Sequence, residues 1–455
     1  MTPPSRSGGA STARSLALDV LVDVAVDDAY GNLALARRLS RAGMDRRESA
    51  LATELVFGTL RLQGRYDAVL ADCASRPLDR VDPVVLQSLR MGCHQVLSMA
   101  VPDYAAVSQT VDLVRDRRGQ GAAKFANAVL RGVTRRDWQQ WRDVVVPPGG
   151  GEASLAVEWS HPEWIIRAFT DVLARQDARA DLEPLLITND EPGPVTLVAR
   201  PGRCSRSDLI DETEGAPGLW SPWAVRVGGD PGRFPAVRSG VAGVQDEGSQ
   251  LMALAFTRLD TPPGGWLDMC AGPGGKTADL AGPAAAAGAD LTAVEQHPHR
   301  ADLVRTAVAG GPPVRVVTGD ALAVPLEPMA RILLDAPCTG LGALRRRPEL
   351  RWRRTPGDLP RLRAAQMALL DRAIDLLLPG GCVAYVTCSP HLGETSDIVA
   401  GVVRRRDDVR VEPAGELLPE VPDAAVGDHV RLWPQRHDTD GMFLAVLRRL
   451  PGSAA

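Results

Sequence analysis

Between residue 14 and about residue 140 the apolar positions recur at helical spacing, and no alternation of strand type appears over any length. Val85, Leu89, Gly92/Cys93 and Val96 mark one apolar face, and Asp82-Pro83 ahead of them is a helix start signal. Ala128-Val129-Leu130 sits in a similar pattern. Pro147-Pro148-Gly149-Gly150-Gly151 then breaks the periodicity and reads as a linker. Residues 152–238 mix a helical piece, Trp164 to Leu173, with short strand candidates such as Val195-Thr196-Leu197-Val198.

From about residue 239 strand and helix signals alternate. Strands are predicted at Gly265–Asp268, Leu291–Glu295, Val314–Val317 and Arg331–Asp335. A long helix follows, with Leu362, Leu369, Ala373, Ile374 and Leu377 on one face and Pro379-Gly380-Gly381 as its stop; the next strand is Cys382–Thr387. Such alternation predicts a parallel sheet with helices on both faces. The expected organisation is multi-domain: a lead at 1–13 without stable structure, an all-α domain at 14–143, a small α+β region at 152–238, and an α/β domain at 239–450. No internal repeat is found.

A chain of 455 residues is too long for one ordinary core, which agrees with several domains. No apolar stretch reaches membrane-spanning length before a charge interrupts it, so no membrane association is expected. Met1 to Ala13 is rich in Pro, Ser and Gly without an apolar segment, unlike a signal peptide. Seven scattered cysteines, an odd number, do not form a disulfide framework and point to a reducing cytoplasm. The net charge of −4 gives no whole-chain argument for nucleic acid. Of the 52 basic residues only Lys124 and Lys276 are lysines, and Lys276 lies in a glycine-rich loop.

That loop, Asp268-Met269-Cys270-Ala271-Gly272-Pro273-Gly274-Gly275-Lys276-Thr277, follows a strand. It is not a P-loop, because Cys270 stands where that pattern requires its first glycine. It suits instead a strand-to-helix turn whose backbone N–H groups approach a carboxylate-bearing cofactor. Asp268 at the strand end can accept from an ammonium group. Glu295 ends the next strand, where an acid commonly binds ribose hydroxyls. Asp320 after the third can take an adenine amine. Together these acids suit S-adenosylmethionine. For any single one, capping of the following helix is an equal alternative.

Two further strand ends carry thiols: Ile332-Leu333-Leu334-Asp335-Ala336-Pro337-Cys338 and Val383-Ala384-Tyr385-Val386-Thr387-Cys388-Ser389. Strand ends are where open α/β sheets transform ligands, and a thiolate there is a candidate nucleophile. The remaining cysteines outside the loop, Cys73, Cys93, Cys204 and Cys382, are assigned as inert thiols. Neither strand-end cysteine has a second ligand at metal spacing, so no metal is expected. Arg345-Arg346-Arg347-Pro348-Glu349-Leu350-Arg351-Trp352-Arg353-Arg354 follows the first cysteine; beside a proposed active site its arginines are candidates for contact with a nucleic-acid backbone.

Asp335-Ala336-Pro337-Cys338-Thr339-Gly340, Arg347-Pro348-Glu349, Thr387-Cys388-Ser389, the 268–277 loop, Val244–Gln250 and Asp440-Gly441-Met442-Phe443 together resemble the bacterial rRNA cytosine-C5 methyltransferases of the Sun (Fmu, RsmB) type. Glu54–Arg61 and Asn127–Arg131 resemble the NusB-like RNA-binding domain of that family. The likeness spans nearly the whole chain and is weakest at 140–238.

The resemblance implies an α/β Rossmann-like class I methyltransferase domain behind an all-α NusB-like domain. It implies methyl transfer from S-adenosylmethionine to C5 of a cytosine in small-subunit (16S) rRNA. Cys388 would add to C6 as nucleophile and Cys338 would assist product release. Asp335 would bond the base edge and also the cofactor. Cys270, Ala271, Gly272, Pro273, Gly274, Gly275, Lys276, Glu295, Arg300 and Asp320 would hold the cofactor with Asp268. Arg345, Arg346, Arg347, Arg351, Arg353 and Arg354 would contact ribosomal RNA. A monomer is expected.

Departures are Thr339 and Leu341 after the Pro-Cys pair, Pro390-His391 after Thr-Cys-Ser, where Glu394 nevertheless stands in the expected acidic stretch, and Met442 for a common Phe. Arg14 stands nearly alone in the N-terminal region, which allows that domain two roles, RNA contact or orientation of the catalytic domain. Alternatives are the same chemistry on tRNA or another rRNA cytosine, and a non-catalytic RNA-binding factor.

Overall fold

The computed structural model describes residues 12–452, so the lead expected at 1–13 lies almost wholly outside the described residues. Two compact units make up the chain. The first runs to Arg167 and takes back a later segment, Leu344–Arg353; the second holds Ala168–Ala343 and Arg354 onward. The division thus falls inside the helix Glu163–Arg175, beyond the glycine-rich linker that composition suggests.

The first unit is helical: α1 (Ala13–Val26), α2 (Gly31–Ala42), α3 (Arg46–Arg61), α4 (Gln63–Cys73), α5 (Pro83–Leu97), α6 (Asp103–Val133), α7 (Trp138–Val145) and α8 (Glu152–Glu158). The Asp82-Pro83 signal acts as read, with Asp82 Oδ1 accepting from Val84 N and Val85 N and Pro83 in the first turn. Asp137 and Gln140 form a reciprocal capping box at the start of α7. Val85, Leu89 and Cys93 are buried with Leu130, Val133 and Trp141 in one apolar cluster.

The second unit contains two sheets. The smaller has the order β2-β3-β1-β4, built from β1 (Val195–Ala199), β2 (Ala216–Pro217), β3 (Ala224–Val227) and β4 (Ala242–Val244), all antiparallel. The larger holds β5 (Trp266–Asp268), β6 (Leu291–Glu295), β7 (Val314–Thr318), β8 (Met329–Asp335), β9 (Leu377–Thr387), β10 (Val409–Glu412), β11 (Ala425–Val426), β12 (His429–Arg431) and β13 (Phe443–Arg449). β7-β6-β5-β8-β9 are parallel neighbours, and β13 closes against β9 antiparallel. Alternation along β9 sends Cys382, Ala384 and Val386 into one apolar cluster and Val383 and Tyr385 into another, so the strand is covered on both faces.

β9 begins at Leu377, earlier than the Pro379-Gly380-Gly381 stop suggests. Leu377 pairs with Met329 and Cys382 with Arg331, so Pro379-Gly380-Gly381 lie in a register shift where the extra residues are on β9. The topological switch lies at β5, whose neighbours β6 and β8 lie on either side, and ligands bind outside the strand ends at such a point. Among the described residues no helix is long and apolar enough to cross a membrane.

Candidate active site

The glycine-rich loop leaves β5 at the switch point and enters the helix Gly275–Ala286. Ala271 N donates to Val294 O at 2.9 Å and Gly274 N to Ala271 O at 2.8 Å, which pins the turn between β6 and that helix. Two glycines are required by space. A Cβ on Gly272 would stand 2.2 Å from Glu295 Oε2, and Gly274 has φ +106°, with a Cβ meeting Val304 Cα at 2.8 Å.

The acids sit where the strand pattern puts them. Asp268 is buried, and Thr277 Oγ1 donates to its Oδ2 at 2.7 Å. Its Oδ1 has no partner, and burial pushes its carboxyl up to about 7. Glu295 is also buried; its Oε2 accepts from Gly272 N at 3.0 Å and its Oε1 from His297 N at 2.9 Å, leaving a second lone pair on each oxygen. Arg300 donates to Gly272 O and lies 3.7 Å from Glu295 Oε2. Asp320 is exposed, past the end of β7, and its Oδ1 caps Leu322 N at 3.0 Å. Burial and the surrounding carboxylates raise the Cys270 thiol far above its ordinary range, so it is no thiolate.

An ammonium-bearing nucleoside fits these residues. A buried carboxylate oxygen without a donor is costly, and an ammonium group would satisfy it. The Gly272 backbone lies so close to Glu295 that a side chain at this position would meet the carboxylate.

β8 and β9 are parallel with Asp335 opposite Val386, so residues just past each end are neighbours. Cys338 and Cys388 accordingly meet, Sγ to Sγ, at 3.5 Å. The hydrogen bond with Cys388 and then burial hold the Cys338 thiol well above its ordinary value. Lys276 Nζ donates to Asp335 Oδ2 at 2.7 Å and carries a positive charge that interacts with Cys388. The sequence singles out Lys276 and Asp335 separately, but not their pairing.

The resemblance marks Glu394 only as an acid in an expected acidic stretch, and its support of the two cysteine loops is seen in the structure alone. Glu394 is fully buried and accepts from Thr339 N at 2.8 Å, from Thr339 Oγ1 and from Gln366 Nε2 at 3.2 Å. Its only sequence signal is an acid six residues after Cys388. The Asp440-Gly441 motif proves to be packing: Gly441 N donates to Gly342 O at 2.8 Å, while Gly342 N donates to Cys388 O at 2.9 Å. Asp246 Oδ1 accepts from Asp440 N at 2.8 Å, which ties in the 244–250 motif.

Two members of the arginine run need correction. Arg345 and Arg351 are buried, and the segment Leu344–Arg353 belongs to the helical unit. Arg351 Nη1 donates to Arg61 O at 2.9 Å and Ser160 O at 3.1 Å, and Trp352 Nε1 donates to Leu60 O at 3.1 Å. The carbonyls of Leu60 and Arg61 lie at the C-terminus of α3, where orphan acceptors and the negative end of the dipole attract a cation. Arg351 is therefore a buried helix cap, not a phosphate contact. Arg347 and Arg353 lie over the ring of Tyr30 at 4.4 and 5.0 Å, and Arg353 Nη2 also donates to Ala29 O at 2.6 Å. Arg354 Nε donates to Thr339 O at 3.3 Å, and Arg346 is partly exposed. Among the described residues no group of His, Cys, Asp and Glu is arranged to hold a metal ion.

Residues 252–448 match the family described as 16S rRNA methyltransferase RsmB/F, and residues 11–135 match the NusB family. A chain of Mycobacterium tuberculosis strain H37Rv designated a methyltransferase is 45% identical over 459 residues, 99% of this chain and 100% of its own. Ribosomal RNA small subunit methyltransferase B of Thermus thermophilus is 32% identical over 457 residues, 98% of this chain and 100% of its own. The crystal structure of PH0851 has the same fold, with a TM-score of 0.80 at 20% identity over 99% of this chain and 100% of that one. The chain therefore belongs to the S-adenosylmethionine-dependent 16S rRNA methyltransferases of the RsmB/F family, with a NusB-family domain ahead of the catalytic one.

Proposed function

We propose that this protein methylates C5 of a cytosine in 16S rRNA through a covalent adduct between Cys388 and C6 of the base. The observation that carries the reading is the 3.5 Å approach of two thiols just past the ends of β8 and β9. A methyltransferase acting on an already nucleophilic oxygen or nitrogen has no use for such a pair. Cytosine C5 is a poor nucleophile and needs one.

Cys388 attacks as a thiolate, its proton already lost to solvent. Cys338 donates S–H to it, and Lys276 offers a nearby positive charge. The Sγ–C6 bond forms and the C5=C6 electron pair moves onto C5. S-adenosylmethionine, when bound, supplies an electrophilic methyl group. Asp268, Glu295 and the backbone of residues 270–276 would hold it, with Arg300 and the exposed Asp320 at the margin. Asp335, fixed by Lys276, would accept from the amino edge of the base. After methylation C5 gives up its proton to solvent, the C–H electron pair restores C5=C6, and the Sγ–C6 bond breaks. Cys338 then hydrogen-bonds the departing thiolate. Arg346, Arg347, Arg353 and Arg354 remain candidates for RNA backbone contact.

The test is incubation of Cys338→Ala with S-adenosylmethionine and 16S rRNA, followed by a denaturing gel. The expected result is a shifted protein–RNA band that disappears when Cys388 is also replaced. A Cys388→Ala enzyme that still methylates would overturn the assignment of the nucleophile.

A further inference from the structure

Residues immediately beyond each cysteine are joined by one directional chain of hydrogen bonds. Thr339 Oγ1 lies against Glu394 Oε2 and 3.1 Å from Ser389 Oγ. Thr339 Oγ1 donates to Glu394 Oε2, and a hydroxyl has one proton, so Ser389 donates to Thr339. Ser389 Oγ in turn accepts from His391 N at 3.3 Å. The backbone N of Thr339 donates to Glu394 Oε1 at 2.8 Å, and Gln366 Nε2 bridges Pro337 O at 2.8 Å and Glu394 Oε1 at 3.2 Å. Cys338 is thereby held on both flanks, at Pro337 and at Thr339, while Cys388 is held through Ser389.

All members of this chain are buried: Thr339, Ser389, Gln366 and Glu394 are each 0% exposed. A carboxylate fully removed from water costs several kcal/mol unless its lone pairs are filled, and the site fills them with donors from the Cys338 loop and a helix beside it. Tyr385 OH fixes the backbone of Glu394 itself through its carbonyl at 2.8 Å. A loop that only needed to pack would be served by an apolar side chain at lower cost.

We propose that Glu394 is a positioning residue that sets the spacing of Cys338 against Cys388, so that the release of methylated product, more than adduct formation, depends on it. This rests on the two-cysteine reading given above. The dependence is asymmetric because Glu394 bonds directly to the loop of Cys338, whereas Cys388 is also held by its own carbonyl to Gly342 N. The charge of Glu394 also favours the protonated form of Cys338, the form that can donate to a departing thiolate.

The experiment is a single-turnover reaction of the full chain with transcribed 16S rRNA and S-adenosylmethionine, followed by a denaturing gel. The variants are Glu394→Ala, Glu394→Gln, Thr339→Val and, as control, Cys338→Ala. Glu394→Ala should bind S-adenosylmethionine as the parent does yet accumulate covalent adduct about 10-fold or more above it. Glu394→Gln keeps the number of hydrogen bonds by reversing the Thr339 hydroxyl, and should recover part of the release rate. Thr339→Val cuts the link between the loops with little change of shape, and decides the matter if Glu394→Ala does not fold. Adduct in Cys338→Ala but in neither Glu394→Ala nor Thr339→Val would overturn the role of Glu394. No adduct in Cys338→Ala would overturn the two-cysteine reading instead.

Discussion

Lys276 Nζ and Asp335 Oδ2 are 2.7 Å apart, joining the first turn of the helix after the glycine loop to the end of β8. Burial alone would lower the lysine pKa, yet Asp335 more than compensates and the ammonium is held charged. One cation thus aims a carboxylate and interacts with the thiol of Cys388. Lys276→Met keeps the length and removes the charge. It should lower the methylation rate by about 100-fold, the scale of losing one preorganised electrostatic group. Placed in a Cys338→Ala background it should also reduce the trapped adduct. Trapping at the parent's rate would leave Lys276 with a packing role only.

Asp268 gives two pH dependences of opposite sign. Its carboxyl is raised to about 7, first by burial and then by Asp335 and Glu295, against the lowering effects of Thr277 and Lys276. An unfolded aspartate titrates near 4. The folded state therefore binds a proton more tightly, and this contribution to stability is full below about pH 4 and is lost as pH rises to about 7. Binding of a cationic amine needs the ionised carboxylate, so cofactor affinity should rise over the upper part of the same range. Calorimetric titration with S-adenosylmethionine should give an apparent Kd that falls roughly tenfold per pH unit up to pH 7 and levels above it. Asp268→Asn should abolish that slope. A pH-independent Kd in the parent would remove Asp268 from the cofactor site.

Much of this site is legible in the sequence because strand ends are short-range features. Glu295 and Asp335 terminate apolar runs, and the runs are β6 and β8. The two cysteines can be assigned to neighbouring loops once their strands are recognised. Their separation cannot, because it depends on the register of β8 against β9. The role of Glu394 is invisible for the same reason, since its partner Thr339 lies 55 residues away. Arg345 and Arg351 of the arginine run differ for another reason. A string of guanidinium groups is read as a solvent-facing surface, but helix C-termini also seek cations. Only the fold shows that the carbonyls of Leu60 and Arg61 meet this segment.

Gly272 offers a sharp steric test. Alanine there would put its Cβ 2.2 Å from Glu295 Oε2 and 2.9 Å from Arg300 Nε. Arg300 is the flexible end of a long side chain and can yield, but Glu295 is buried and bonded to the Gly272 backbone itself. The loop must therefore shift away from β6. Gly272→Ala should weaken S-adenosylmethionine binding by at least about tenfold, with a loss of stability of about 1–3 kcal/mol from overpacking. Gly275→Ala, whose Cβ would meet only Gln245 side-chain atoms at 3.5 Å or more, should leave affinity near the parent's. Equal effects of the two substitutions would refute the steric account of the loop.

Arg351 and its neighbours separate helix capping from RNA contact. Arg351 is fully buried, and its Nη1 bonds two carbonyls, one of them at the end of α3. Removing it strands both acceptors in the interior, and charge-assisted bonds of this kind are worth about 1.5–3 kcal/mol each. Arg351→Met should therefore lower the denaturation midpoint, with a loss of about 3 kcal/mol or more in stability. A buried group releases no phosphate counterions, so the salt dependence of RNA affinity should keep its slope. Arg346→Ala with Arg347→Ala should do the reverse, because both side chains are partly exposed. Every arginine–phosphate pairing removed lowers the slope of log K against log salt by up to about 1. Filter binding of 16S rRNA at several salt concentrations, beside urea denaturation, reads both quantities on the same proteins. A flattened salt slope in Arg351→Met with unchanged stability would reverse the assignment and return Arg351 to the RNA surface.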